Sequence, residues 1–417
     1  MAGLFKQNDI WDVIVIGGGA SGMMAAAVAG ARGKRVLVLE KNSALGEKLK
    51  ITGGGRCNIT NAEEDVRVFM KNYGKAEPYL YSAFSQFGNK DTFSFFEERG
   101  LPLVVQARKR AFPHTENAHD VYQVLSKELQ KYNVEVKSKC TAKRIIEEGD
   151  EIVGVDTSQG VYKAHSYVLA TGGLSHKETG ATGDGFEFLR ALGHKVKNPT
   201  PSIVPLEVAE EWVKSLAGVS LSFCKITFFL EGKKQFQKTG KILFTHFGLS
   251  GPLILNSASK VSTLLLSGMV TAYIDAYPDT DLGSLEKTII KVFDANKNKN
   301  LRTVVKEFVP EGTAKAIMTL IPIDLDTKVH SVTKEDRKKI VHLLKALPMT
   351  ITNLMGYDRA VVVDGGVSLD EIDMKTMCSR KYKNLYVTGD LLDINRPSGG
   401  FSLQLCWTTG YIAGNQV

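Results

Sequence analysis

The stretch Asp12-Val13-Ile14-Val15-Ile16-Gly17-Gly18-Gly19-Ala20-Ser21-Gly22 limits the possible folds more than any other part of this 417-residue chain. A run of β-branched residues reads as a short buried strand, and Gly17, Gly19 and Gly22 follow it in the spacing G-x-G-x-x-G. The Ala-rich segment from Met23 to Ala31 then has helical composition, and Arg35 to Glu40 is a second strand that ends in an acid, 18 residues past the last glycine. In such a βαβ unit, Gly17 makes the tight turn, Gly19 lets the backbone approach a pyrophosphate, and Gly22 permits close packing of helix on strand. Ala20 and Ser21 open the helix, whose N-terminus faces the phosphates, and Glu40 accepts hydrogen bonds from a ribose. The motif in this frame predicts a dinucleotide site.

The length exceeds a single ordinary domain, so two or three domains are expected. Residues Lys71 to Lys131 are mostly helical in pattern, interrupted by the basic stretch from Gln106 to Asp120. Short strands are expected at Val134 to Ser138, Ala142 to Glu147, Ile152 to Thr157 and Gly160 to Ala164, forming a small antiparallel meander. A further strand, Ser166 to Ala170, runs straight into Thr171-Gly172-Gly173. Past Asn198-Pro199-Thr200-Pro201 the pattern changes to alternating strands (Lys225 to Glu231, Lys241 to Thr245, Met269 to Ile274). Residues 283 to 347 are Lys-rich with helical spacing, at Leu285, Ile289, Ile290, Val292 and Phe293 and again at Ile340, Leu343, Leu344 and Leu347. Glycine-punctuated strands return at Arg359 to Val363 and Asn384 to Asp390, before a terminal helix. The chain is therefore read as a nucleotide domain in two parts, 1–202 and 351–417, with a β-barrel-like insertion at 203–280 and a helical subdomain at 281–350.

A second glycine-rich stretch, Ile51 to Asn61 (ITGGGRCNITN), places bare backbone beside a guanidinium, a thiol and carboxamides. Together with GGGASG, ATGGLSHKETGATGDG, THFGLSGP and GDLLDINRPSGGFSLQ it resembles the signature blocks of the YhiN/BaiN-like FAD-dependent flavoproteins, over nearly the whole chain. The resemblance implies an α/β fold with a split Rossmann-like FAD-binding domain, an inserted β-barrel and a small helical domain. Two blocks depart from the family pattern: Val363-Asp364-Gly365-Gly366-Val367 stands where Thr-Ala-Gly-Gly-Val is usual, and Gly389-Asp390 where Gly-Glu is usual. FAD contacts are expected at Gly17, Gly19, Ala20, Ser21, Gly22, Glu40, Lys41, Gly54, Gly55, Arg56, Thr171, Gly172, Gly389, Asp390, Gly399, Gly400 and Phe401. Arg56 is a candidate for supplying charge at the flavin, where charge develops on reduction, and Asn58 and Asn61 for fixing their own loop.

Cys57 reads either as a packing residue or as a proton donor whose pKa Arg56 would lower. His246, in THFGLSGP, is the other proton-donor candidate because histidine titrates near neutrality. His176, Lys177 and Arg396 are candidate substrate contacts, Ser398 flanks the glycines expected near the cofactor, and His114 and His119 read as surface residues. Five scattered cysteines without a CxxC pair fit a reducing cytoplasm and argue against a structural zinc site. The N-terminal MAGLFKQNDIWD has neither a basic n-region nor an apolar h-region, and the apolar run from Val13 to Ala31 is broken by five glycines, so neither a signal peptide nor a membrane span is expected.

The chain carries 53 Lys and Arg against 45 Asp and Glu, a net charge of +8. Basic residues gather at Arg108-Lys109-Arg110, Lys291 to Lys299 and Lys334 to Lys339, which reads as solubility or as attraction for an anionic partner. With one clear G-x-G-x-x-G unit, NADH or NADPH is expected to dock transiently as electron donor. The resemblance implies an FAD-dependent oxidoreductase, either a reductase forming dihydrouridine in ribosomal RNA or a small-molecule enzyme of the aminoacetone-oxidase or bile-acid-reductase kind.

Overall fold

The computed structural model describes residues 10–357, 360 and 362–417, which form two compact units. One comprises the described residues through Pro201 together with those from Ala360 to Val417; the other begins at Ser202 and ends before Ala360.

In the first unit, β1 (Ile10–Ile16), α1 (Ala20–Ala31) and β2 (Val36–Leu39) make the expected βαβ, with Val13 opposite Val36 in parallel register. The strands Gly160 to Ala164 and Ser166 to Ala170 are one continuous β3 (Gly160–Leu169), since no Gly or Pro at His165-Ser166 breaks the chain. Its first part pairs antiparallel with Glu151–Thr157, while its later residues pair parallel with β1 and with Leu385–Val387. The segment Glu135–Lys137 leaves the predicted meander and pairs parallel with β2. A three-residue strand carries too little pattern to announce its partner.

The parallel order is therefore Leu385–Val387, β3, β1, β2, Glu135–Lys137 within a nine-stranded sheet. Strands buried on both faces read as continuous Val, Ile and Leu, and the residues from Val13 to Ile16 and from Val36 to Leu39 are all buried. The chain runs outward from β1 to β2 and then crosses to β3 on the other flank of β1. That reversal creates a crevice at the carboxyl ends of β1 and β3.

The terminal helix α2 (Phe401–Gln416) lies parallel to α1. Gly410 and Gly414 set their separation: a Cβ would stand 2.4 Å from Ser21 O and 2.5 Å from Ala25 O respectively. Arg32 donates to the Val417 carbonyl at 2.7 Å, capping the far end of α2. Within the largely helical stretch after Lys71, the hairpin Leu103–Gln106/Arg110–Pro113 adds to Thr60–Asn61 as a three-stranded sheet, with Asn61 opposite Arg110.

The second unit holds a closed barrel whose strands neighbour in the order Leu206–Val208, Gly248–Ser250, Lys233–Thr245, Ser220–Leu230, Val270–Asp275, Leu347–Leu354. The helices Leu282–Ala295 and Lys334–Lys345 fall between its last two strands, N-capped by the side chains of Asp281 and Thr333. Leu285, Ile289, Phe293, Ile340 and Leu344 are buried on their inner faces. Ile351, expected at the return to the nucleotide domain, lies inside the closing barrel strand. Of the strand expected from Arg359 to Val363, Arg359 and Val361 lie outside the described residues. The strand found there is Val363–Val367, antiparallel to Val196–Pro201. Among the described residues no helix is long and apolar enough to cross a membrane, and no group of three His, Cys, Asp or Glu stands together as a metal site.

Candidate active site

A cleft with about 1150 Å³ of atom-free space, open to solvent, occupies the crevice of the first unit. Its wall includes Gly17 to Ser21 after β1, Glu40 to Asn42 after β2, Cys140 to Ala142, Ala170 to Gly172 after β3, Thr179 to Ala181, Asp390, and Ser402 and Leu403 of α2. Gly17 has φ +103, and a Cβ there would strike Ala170 O at 2.6 Å; Gly22 is packed tighter still, 1.9 Å from Gly17 O. Gly19, by contrast, has nothing within 4 Å of its Cβ position, so its face is open to a ligand.

Two helices begin at this wall without a side-chain cap, α1 after Gly19 and α2 after Gly400. Their first-turn N–H groups are partial positive charges suited to phosphate or to developing negative charge. Glu40 is held by the Gly18 and Asn42 N–H groups, each at 2.8 Å, leaving carboxylate lone pairs for a hydroxyl donor. The Thr171 hydroxyl is buried with no hydrogen-bond partner among the described residues. An open glycine face, two uncapped helix starts, a pre-oriented carboxylate and an orphaned hydroxyl fit the FAD that the sequence resemblance implies.

Charges on the wall are paired. Lys41 meets Asp184 at 2.6 Å, and Asp390 meets both Lys48 at 3.3 Å and Arg396, whose side chain is 1% exposed. Burial alone would push the Asp390 carboxyl up, yet Arg396 and Lys48 hold it down to about 2. Arg396 also donates to Ile394 O and to Ser402 Oγ. The guanidinium expected to touch substrate is thus a buried support for Asp390 and for the start of α2.

The segment after Thr52 answers why glycines gather there. Gly53, Gly54 and Gly55 have φ of 60°, 68° and 85°, and Cys57 also sits at 58°. Left-handed backbone repeated this often excludes most side chains. Asn58 and Asn61 fix more than their own loop. The Asn58 carboxamide donates to Ala111 O and Thr60 O and accepts from the Gly400 N–H at 2.9 Å, while Asn61 donates to Gly399 O at 3.0 Å. The two glycine-rich loops, more than 300 residues apart in sequence, are braced together.

Position separates the expected site residues. Cys57 is fully buried in the core, and burial pushes its thiol up to about 12 against the opposing pull of Thr52, so it is neither acidified nor accessible. Arg56 lies outside the cleft lining, against Phe112 at 4.7 Å and Glu116 at 3.5 Å. Phe401 packs with Phe69 and Tyr73 rather than lining the cleft. His176 bonds Glu178 at 2.8 Å and Lys177 is exposed; from that loop Thr179, Gly180 and Ala181 reach the wall instead. Gly22, Gly54, Gly55, Gly389, Gly399 and Gly400 shape neighbouring backbone without lining the cleft; a Cβ on Gly400 would lie 2.2 Å from Thr60 C. Gly17, Gly19, Ala20, Ser21, Glu40, Lys41, Thr171, Gly172 and Asp390 do line it. His246 belongs to the barrel unit, exposed at the turn after Lys233–Thr245 and edge-on to Phe247. His114 and His119 are exposed.

The sequence reading missed Lys48, Asn42, Asp184 and Cys406, all on the wall. Lys48 sits in an ordinary-looking helix, Glu47–Ile51, and nothing local marks its partner 342 residues away. The Cys406 thiol is pushed up to about 12, by burial first and by Asp390 next.

The HI0933-like protein Rossmann domain family matches residues 11–416, and the chain belongs to that family. It is 28% identical over 410 residues to the 3-dehydro-bile acid delta(4,6)-reductase of Clostridium scindens, covering 96% of this chain and 97% of that protein. It is also 28% identical over 406 residues to the ribosomal RNA dihydrouridine synthase of Haemophilus influenzae, covering 95% and 96%. Among solved structures, the 3-ketosteroid-delta4-(5alpha)-dehydrogenase of Rhodococcus jostii RHA1 shares the fold over 99% of this chain and 98% of its own, at TM-score 0.53 and 15% identity.

Proposed function

We propose that this chain, an FAD-dependent oxidoreductase of the HI0933-like family, reduces the C5–C6 bond of a uridine in 23S ribosomal RNA to give dihydrouridine. The observation that carries the RNA reading is the excess of basic residues, +8 overall, on a chain similar along its length to a ribosomal RNA dihydrouridine synthase. Polyanions attract such surfaces through phosphate neutralisation and counterion release.

In this reading Glu40 holds the ribose hydroxyls of FAD, the N–H groups of Gly19, Ala20 and Ser21 its pyrophosphate, and Lys41 and Thr171 the adjoining oxygens. Asp390, kept ionised by Arg396 and Lys48, accepts from the ribityl chain. Bound and reduced, FAD supplies a hydride, with NADH or NADPH docking from solvent as the donor that recharges it. The start of α2, fixed by Arg396 and by the Asn58 bond to Gly400, presents N–H groups where negative charge develops. The target base must leave its stack to be reduced. Burial of Cys57 removes one of the two proposed proton donors. Turnover of His246→Gln with flavin retained decides the other: a large fall supports it, and unchanged turnover excludes it.

A second reading, reduction of a steroid enone, draws on the bile-acid reductase relative. Both substrates present a C=C conjugated to a carbonyl, so one site chemistry serves either. The deciding experiment is nucleoside mass spectrometry of 23S rRNA from the source strain with the gene deleted and then restored. Dihydrouridine lost and recovered supports the RNA reading. An unchanged level sinks it, and turnover of unsaturated 3-oxo steroids then tests the other.

A further inference from the structure

Of the three basic segments in the sequence, two are ordinary solvated helical faces. Lys297 lies 4.0 Å from Asp294, and Lys339 lies 2.9 Å from Asp336. The third, Arg108-Lys109-Arg110, is different in backbone as well as charge. Arg108 and Lys109 have φ of 62° and 55°, consecutive left-handed positions without a glycine. Each such residue is strained and persists only where its surroundings over-determine it. They do so here. The Ala62 N–H donates to Lys109 O at 2.6 Å, Asn61 Nδ2 to Arg108 O at 3.2 Å, and Arg110 Nε to Ala107 O at 3.1 Å, while Lys109 Nζ pairs with Glu63 at 2.8 Å.

The strained turn gathers guanidinium groups. Arg56 and Arg110 lie 4.7 and 5.7 Å from the centroid of one ring, Phe112, which also lies 3.7 Å from the Cβ position of Gly53. Arg110 is harder to keep charged than a free arginine, through burial first and then through repulsion from Arg56 and Arg108. One carboxylate, Glu116, faces Arg56 at 3.5 Å, with both side chains 42% exposed. Among the described residues neither Arg108 nor Arg110 has a carboxylate within salt-bridge distance. A fold that strains its backbone to hold like charges together, with Glu116 and Glu63 answering only Arg56 and Lys109, is pre-organised for an anion at Arg108 and Arg110. Arginine's planar fork matches the two free oxygens of a phosphodiester.

The position is as telling as the charge. Thr52 lines the cleft, and only the exposed or half-buried Gly53, Gly54 and Gly55 separate it from Arg56. Four residues span at most about 14 Å, so Arg56 lies within that distance of Thr52 at the rim of the cleft, and Arg110 lies beside it over the same Phe112 ring.

We infer that Arg56, Arg108 and Arg110 form a phosphodiester clamp for the RNA strand that carries the base to be reduced, an assignment that rests on the RNA reading above. The test uses the full-length FAD-loaded protein and a fluorescein-labelled single-stranded RNA of about 15 nucleotides, a length within the usual single-strand site size. Binding is followed by anisotropy across a KCl series, with flavin absorbance and thermal midpoint recorded alongside. The double variant Arg108→Gly/Arg110→Ala is expected to bind about tenfold more weakly, and its plot of log affinity against log salt should be shallower by roughly 1.4, two contacts at ~0.7 each. Flavin absorbance stays unchanged. Arg108→Gly alone should raise the thermal midpoint while weakening RNA binding, because glycine relieves the left-handed strain. A merely structural arginine would lower the thermal midpoint, and that result would overturn the assignment.

Equal affinity and equal salt slope in wild type and double variant would overturn the clamp while leaving the RNA reading intact, provided dihydrouridine in rRNA still depends on the gene. No RNA binding by wild type, with dihydrouridine unchanged on deletion, would overturn both. Loss in the double variant of affinity for a bile-acid carboxylate, with RNA binding untouched, would overturn the phosphodiester assignment in favour of a carboxylate.

Discussion

Along the cleft wall each charged side chain has a counterpart. Lys41 meets Asp184, Glu47 meets Lys50 at 2.9 Å, Lys48 and Arg396 share Asp390, and Glu40 takes two backbone N–H groups. On the rim, Arg108 and Arg110 have no such counterpart among the described residues, and Arg56 shares a half-exposed Glu116. The backbones differ in the same sense. Gly17 on the wall and Gly22 packed behind it are fixed by lack of space, whereas Gly54 has a left-handed φ with nothing near its Cβ position. A neutralised, tightly packed wall is suited to hold hydroxyls and a pyrophosphate through fixed dipoles. A positively charged, open rim is suited to a ligand that brings its own charge.

The contrast breaks hardest at Gly22. A Cβ 1.9 Å from a backbone carbonyl cannot be absorbed by side-chain movement, so Gly22→Ala should prevent folding of the FAD unit or abolish flavin retention, read from absorbance of the purified protein. Next comes Asp390→Ala, which leaves Arg396 buried without its carboxylate and should destabilise by roughly 3–5 kcal/mol in urea unfolding, with loss of flavin. The sign of its pH effect follows from the pKa. Asp390 ionises at about 2 in the fold against an ordinary 3.8, so its stabilisation is present above pH 4 and disappears as pH falls toward 2. That component should amount to roughly 2 kcal/mol and be missing from Asp390→Asn, so an identical acid-unfolding curve for that variant would refute the pairing argument.

Smaller effects belong to the rim side. Gly54→Ala meets open space and loses only its preferred φ, so it should cost about 1 kcal/mol and keep its flavin; a loss as large as that of Gly22→Ala would erase the distinction drawn here. Of similar size is Cys57→Ala, a buried trimming that should cost roughly 1 kcal/mol and leave turnover within about twofold. A large fall in turnover with flavin intact would restore Cys57 as a proton donor.

The first βαβ was legible because its signals are local. Four residues of VIVI, the glycine spacing and the acid at Glu40 each report on neighbours within one turn or one strand, and the structure has them where the pattern put them. Three of the six barrel strands and the helical faces at Leu285, Ile289 and Phe293 were legible for the same reason, since periods of 2 and 3.6 are written into adjacent residues, whereas Leu206–Val208, Gly248–Ser250 and Leu347–Leu354 were not read as strands. The strand Glu135–Lys137 was legible too, but its parallel pairing was not, because three residues carry no mark of their partner. Nor were Lys48 and the true roles of Arg396 and Phe401, which depend on what the chain brings from hundreds of residues away.

What the sequence determined, then, was where the backbone must turn, approach closely and stay bare, and which residues face a core. What the tertiary structure decided was charge and access. It chose Asp390 as the partner of Lys48 and Arg396, buried the Cys57 thiol, and left Arg108 and Arg110 without a carboxylate among the described residues. Backbone sterics act between near neighbours in the chain and so are encoded locally, whereas desolvation and Coulomb interaction depend on every atom that folding brings within a few ångströms.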